Sequence, residues 1–301
     1  MEKQPFFEGK NRLIQILYLL LFIVGGVTIF SSLGQLVAML AYGFDMTSVM
    51  NQHQVGYYRI IQSFSSIGTF AVPGLLFAYC SKRNWLSYNK MDKAPNYILA
   101  DIVIVMSLII IPVVVGFAQW NEEMALPEAW SKVEQWMRTM EENSQTIITL
   151  LTNDPRISIL LLNLVVFAIL PAFCEELLFR GTIQPFLADW TKNQHLAIWI
   201  TAFIFSAIHL QFFGFIPRFL LGAYLGYLLF WSGSLWLPIL AHFLHNTLTV
   251  IIQFVLMKKG FDVENMQPTD IKGFIPLFVT ATIITALGVL LLWKKKKATL
   301  V

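Results

Sequence analysis

The chain has 301 residues, 56% of them hydrophobic and only 13% charged, with a formal net charge of +3 and a mean hydropathy of +0.64. Soluble chains run at about 45–50% apolar and about 25% charged, so this chain has too few polar side chains to cover a water-facing surface. The same figures exclude disordered, collagenous and disulfide-rich secreted classes, and the small, scattered positive excess argues against nucleic acid as a partner.

Met1 to Arg12 is polar and leads into an apolar run too long for a signal-peptide core. No small-residue cleavage site closes it promptly, so the first span is expected to be retained. A spanning helix needs about 20 apolar residues, and eight stretches approach that size. They are Leu13–Ala41, Tyr58–Cys80, Tyr97–Gln119, Ile157–Phe179, Leu196–Leu210, Phe219–Phe230, Leu237–Met257 and Phe274–Trp293. The fifth and sixth are short, which suits a tilted, partly re-entrant or protein-shielded segment. The expected fold is all-α: one polytopic membrane domain over residues 1–301, with about eight transmembrane helices. Cys80 and Cys174 both lie in apolar segments and form neither a disulfide framework nor a metal-knuckle spacing.

Basic residues favour cytoplasmic loops. With eight spans, Lys3, Lys10, Arg12, Lys82, Arg83, Lys90, Lys93, Lys192 and Lys294–Lys297 fall on one side. The other side holds Asn121–Arg156, rich in glutamate, with Glu122, Glu123, Glu128, Glu134, Glu141 and Glu142. Both termini are therefore expected in the cytoplasm of a multi-pass cell-membrane protein. Trp130, Val133, Trp136, Met137 and Met140 stand at helical spacing in the acidic segment. It reads as an amphipathic helix on the bilayer or over a cavity, or as a solvated connector with a few buried anchors. Asp101, near the start of the third span, suits a helix N-terminus.

Charges inside membrane spans are rare and are functional candidates by default. The densest cluster is Cys174-Glu175-Glu176-Leu177-Leu178-Phe179-Arg180, at the end of the fourth span. Glu176 and Arg180 are four residues apart and can pair on one helix face. Glu175 points about 100° away and is left for other work. A carboxylate near apolar walls can act as a general base, or the whole cluster can be a structural clamp. His209 closes the fifth span, and the seventh carries His242, His245 and Asn246. His242 and Asn246 share a face, with His245 one step off. Single helical histidines usually pack, but three in spans alongside a glutamate pair weaken that reading. Gly222 and Gly226 form a small-x-x-x-small pair suited to close helix packing, with homodimerisation the lesser alternative. Gln211–Arg218 is an aromatic connector that either lines a substrate mouth or anchors at the interface.

Taken together, Glu-Glu-x-x-x-Arg at Glu175, Glu176 and Arg180, Phe-x-x-x-His at Phe205 and His209, and His-x-x-x-Asn at His242 and Asn246 resemble the CPBP family. That family comprises type II CAAX prenyl proteases and Abi-type or bacteriocin-processing intramembrane proteases. The motifs cover about Pro171–Thr249, with a protease core expected over about 157–257 on the fourth, fifth and seventh spans. The resemblance implies an endopeptidase acting on a membrane-embedded or lipidated peptide or protein. By position, Glu175 and His209 would activate water, His242 and Asn246 would stabilise the oxyanion, and Glu176, Arg180 and Phe205 would support the site. His245 falls outside the family pattern.

The family is often described as metalloproteases, and zinc held by Glu175, His209 and His242 is one possibility. No His-Glu-x-x-His helix is present, so no cofactor is favoured, and direct water activation by Glu and His is physically adequate. Two other readings stand beside the protease: a non-catalytic scaffold or bacteriocin-immunity factor, and a small proton-coupled transporter using Glu175 and the histidines. The chain lacks the internal repeats that usually mark transporters.

Overall fold

The computed structural model describes residues 5–43, 52–82, 84–261 and 273–299, excepting the side chains of 52–54 and 294–299. Lys3, Arg83 and the side chains of Lys294–Lys297, counted above with the basic side, fall outside this description. Regular structure among the described residues is helical. The helices are α1 (Arg12–Tyr42), α2 (Gln52–Ser66), α3 (Val72–Ser81), α4 (Trp85–Tyr88), α5 (Tyr97–Glu122), α6 (Ser131–Thr152) and α7 (Ile157–Leu164). They continue as α8 (Leu170–Leu178), α9 (Gln184–Thr191), α10 (Gln194–Ala207), α11 (Phe215–Ser232), α12 (Trp236–Lys258) and α13 (Phe274–Thr299).

Local chemistry sets the ends of several helices. Asn11, Asn84, Asn96 and Asn193 each precede a helix and accept a first-turn backbone N–H through the side chain. Gly233, at φ 67°, ends α11 in the left-handed region that glycine enters without steric cost. Three π-turns, Ile67–Ala71, Val165–Ile169 and Phe179–Ile183, join α2 to α3, α7 to α8 and α8 to α9. A proline follows each at the start of the next helix: Pro73, Pro171 and Pro185. Proline lacks an N–H and crowds the carbonyl one turn back. The wider turn relieves both conflicts, and the helix runs on.

Among the described residues, seven long apolar helices and the shorter α10 run between two ends of the bundle. At one end Phe7 donates its N–H to the Cys80 carbonyl, Arg12 pairs with Asp189, and Ser234 Oγ donates to the Lys93 carbonyl. At the other, Asn121 of α5 bonds Phe212 and Ile216, and Glu141 of α6 accepts from Phe213 N–H. Lipid-facing surfaces stay apolar, with Leu17 64% and Leu40 79% exposed on α1, while Glu176, Arg180 and Thr182 are fully buried. This is a polytopic membrane protein.

Among the described residues, seven helices are long and apolar enough to cross a bilayer. The fifth pass, expected over Leu196–Leu210, is made by the 14-residue α10, which stops short in a loop. The sixth is longer than expected, because α11 starts at Phe215. The fourth also differs: helix continues from Ile157 through Thr191, so Arg180 lies inside it rather than at its end. Arg180 does not terminate the span because its charge is neutralised within the bundle. Gly222 and Gly226 face α10 and Gln184 of the same chain, not an outer surface; a Cβ at Gly226 would stand 2.8 Å from Gln184 Oε1.

The basic end is expected to face the cytoplasm. In a Cys80→Ser background, a cysteine at Glu134 should react with an impermeant maleimide in intact cells; reaction only after permeabilisation would reverse the orientation.

Candidate active site

The Glu175–Glu176 pair sits on α8, one turn before the π-turn that carries Arg180. Their side chains diverge as helix geometry requires. Glu176 Oε1 accepts from Arg180 Nη1 at 2.8 Å and lies 2.9 Å from His242 Nδ1 on α12. Arg180 Nη2 donates to the Gly222 carbonyl of α11 at 2.9 Å, and its guanidinium lies 4.5 Å from the Phe205 ring centroid. One carboxylate thus ties α8, α11 and α12 together and seats the arginine against α10.

Glu175 is buried and points to the other side of the His242 ring, where Oε2 stands 4.0 Å from Nε2. His209 follows α10 and is half-buried; its Nδ1 lies 2.7 Å from the Phe205 carbonyl. Phe205 packs edge-on to both histidines, with centroids 5.2 Å from His209 and 6.0 Å from His242. Asn246 is one turn beyond His242 and half-buried, and its side chain makes no hydrogen bond among the described residues. His245 makes no hydrogen bond to this cluster, and its Nδ1 is buried without a partner.

Hydrogen-bond roles follow from these partners. A carbonyl can only accept, so His209 Nδ1 carries the proton and the neutral ring presents Nε2 as an acceptor. Glu176, already accepting from Arg180, likewise accepts a hydrogen bond from His242 Nδ1–H. Nε2 of His242 then faces Glu175 as an acceptor when neutral and as a donor when the ring is protonated.

Sequence reading alone missed the supports of the His209 loop. Leu210, a non-glycine residue, has φ 53°, turning the chain sharply just after His209. Such a conformation costs about 1–3 kcal/mol and persists only where the surroundings fix it. Here Ser206 Oγ donates to the Phe215 carbonyl, Asn121 holds Phe212 and Ile216, and Arg218 holds Gln211 through both terminal nitrogens. The Arg218 charge also acts on Glu175 and Glu141. An arginine closing an aromatic connector was the available signal. From α6, Glu141 Oε2 accepts Phe213 N–H at 3.2 Å, Arg138 lies 4.4 Å from the Phe213 centroid, and Trp136 packs on Phe212. Burial raises the Glu141 carboxyl above the ordinary carboxylate range, opposed by the Phe213 N–H and Arg218. The acidic segment is therefore a helix docked on the loop behind His209.

The metal alternative can be tested on the donors. Glu176 is engaged by Arg180 and His242 together, leaving Glu175 Oε2 and His242 Nε2 facing each other. No group of three His, Cys, Asp or Glu side chains among the described residues is arranged to hold a metal ion.

Comparison with known proteins places this site within a recognised segment. Residues 157–248 match the Type II CAAX prenyl endopeptidase Rce1-like family. The Rce1-like segment contains Glu175, Glu176, Arg180, Phe205, His209, His242 and Asn246, in agreement with the resemblance read from the motifs. The chain is also similar to the uncharacterized protein YpbD of Bacillus subtilis (strain 168), with 31% identity over 116 residues, or 37% of this chain. It spans 57% of that relative's length. No solved structure matches.

Removing one partner of the buried Glu176–Arg180 pair should strand the other charge. Arg180→Met is expected to lower stability by about 3–5 kcal/mol. Combining it with Glu176→Leu should cost less than the sum of the single changes. Detergent unfolding of the four proteins measures this; strict additivity would show that the pair is not coupled.

Proposed function

We propose that the chain is an intramembrane endopeptidase that hydrolyses a peptide bond in a membrane-associated peptide or protein, without a metal. The observation that carries the reading is the facing of Glu175 and His242 across 4.0 Å inside the bundle, with the His242 ring held from behind by Glu176. The Rce1-like match over the segment that holds these residues supports it. The reaction class is hydrolysis with positioned protein groups.

In this mechanism Glu175 and the Nε2 of His209 accept from one water molecule. As the water oxygen bonds to the substrate carbonyl carbon, its proton passes to Glu175 and the carbonyl oxygen becomes an oxyanion. The Nδ2–H of Asn246 and the Nε2–H of protonated His242 donate to it. Neutral His242 has no Nε2–H to give while Nδ1–H is bound to Glu176, so the imidazolium is the working form. Glu176 at 2.9 Å and Glu175 at 4.0 Å offset its charge. Collapse of the intermediate breaks the C–N bond, and the leaving amine takes the proton held by Glu175.

Glu175→Gln keeps the shape but removes the base. Loss of a general base typically costs about 10²–10⁴ in rate, so turnover of a fluorogenic membrane peptide should fall within that range while the fold is retained. Near-wild-type turnover would refute the assignment of Glu175.

Exhaustive chelation of the purified active protein should leave activity intact, with metal analysis finding far less than one zinc per chain. Stoichiometric zinc, lost with activity and restored with it, would move Glu175 and the histidines from proton handling to ligation.

A further inference from the structure

A cavity of about 780 Å³ opens at the same end of the bundle as the His209 loop, walled by α2 and α7 and roofed by the C-terminal half of α6. It is separate from the candidate active site: none of its lining residues belongs to the Glu175 cluster, and the nearest on that helix, Val166, precedes Glu175 by nine residues.

At its inner wall stands Arg59, only 7% exposed although it lies within a membrane span. Nε donates to Asn163 Oδ1 at 3.1 Å, bridging α2 to α7, and Nη2 donates to the Leu151 carbonyl of α6. Asn163 Nδ2 donates to that same carbonyl. Nη1 has no acceptor, and the guanidinium has no carboxylate at ion-pair distance, among the described residues. The nearby Asp154 carboxylate is taken up by Arg156, through its backbone N–H, Nε and Nη2. The lining therefore carries two arginines against one carboxylate. Arg59 has only a share of the Asp154 charge, which Arg156 binds directly, and a buried cation with an incomplete counter-charge is costly in a membrane protein and marks a place for a further anion.

We propose that this cavity binds the phosphate headgroup of an anionic membrane phospholipid, with Arg59 Nη1 as its central donor. The Arg156–Asp154 pair leaves one net positive charge on the lining, and the Ser63 and Thr146 hydroxyls stand beside it. Two features select a lipid over a free anion. The lining is mostly apolar beyond these groups, and Leu162, which belongs to it, is 43% exposed on the outer surface of α7 beside Leu161 and Ile157. Acyl chains leaving the cavity at Leu162 would therefore run along an apolar, lipid-facing surface. An arginine in a pocket between transmembrane helices offers a phosphate group the forked donors that it pairs with best.

The test uses the purified full chain in neutral detergent, titrated with dioctanoyl phosphatidylglycerol and followed by thermal unfolding and native mass spectrometry. Wild type is expected to retain one phosphatidylglycerol and unfold at higher temperature as it binds. Arg59→Gln should weaken binding about ten-fold or more. Because Arg59 also bridges α2 to α7, Leu162→Trp serves as the second variant: it fills the cavity from its exposed rim, should leave the lipid-free midpoint unchanged, and should weaken binding by a similar factor. Dioctanoyl phosphatidylcholine should bind less tightly than phosphatidylglycerol, and inorganic phosphate at equal concentration should not shift the midpoint. Equal binding of the two lipids, an unaltered affinity in Leu162→Trp, or an equal shift from inorganic phosphate would each overturn the proposal.

Discussion

Glu176 Oε1 is the atom on which the centre of this bundle depends. It accepts from Arg180 of its own helix and from His242 of α12, and the same guanidinium reaches the Gly222 carbonyl on α11. A charged group with no exposure in a membrane domain is tolerated only when its neighbours supply opposite charge and hydrogen bonds. Because one carboxylate does this for an arginine and a histidine together, it sets both the helix arrangement and the protonation pattern of the His242 ring. The adjacent Glu175, turned about 100° away by the helix, is left without such a partner. Two neighbouring residues of one type are given opposite duties by helical phase alone.

Gly222 and Gly226 make the arginine contact and its counterpart one turn on feasible. Without side chains they leave the backbone of α11 open, so that Gly222 O receives Arg180 and Gly226 O receives Gln184 Nε2. Phe205, Ala202 and Ile198 of α10 occupy the space a Cβ would claim. The small-x-x-x-small pair therefore works inside the chain, by exposing carbonyls as well as by letting helices approach.

The sequence made the motif residues and most spans legible because their signals are local: apolar length, four-residue spacing, and charges where charges are rare. The pairing of Glu176 with Arg180 followed from spacing. Its second partner, His242, lies 66 residues away and could not be assigned from periodicity. The end of the fourth span was misplaced because Arg180 reads as a boundary when its neutralising partners are unknown. Asn121, Glu141, Arg218 and Arg59 escaped for the same reason, since their work lies in contacts between distant segments. The fold class needed only composition, whereas the support of the His209 loop needed tertiary structure.

The π-turn at Phe179–Ile183 has a consequence for which lengths of chain this helix can tolerate. A π-turn accommodates about one residue more than the α-helix it interrupts, and here it separates Glu176 from Gln184 and Asp189, whose partners are Gly226 and Arg12. Deleting the extra residue would close the turn to α-geometry and keep the phase of α9, whereas inserting one more would rotate α9 by about 100° against α8. Gln184 would then turn from Gly226 and Asp189 from Arg12, while Glu176 kept its place. The fourth pass thus behaves as two helices held in phase across the turn, and insertion there is constrained as strictly as substitution.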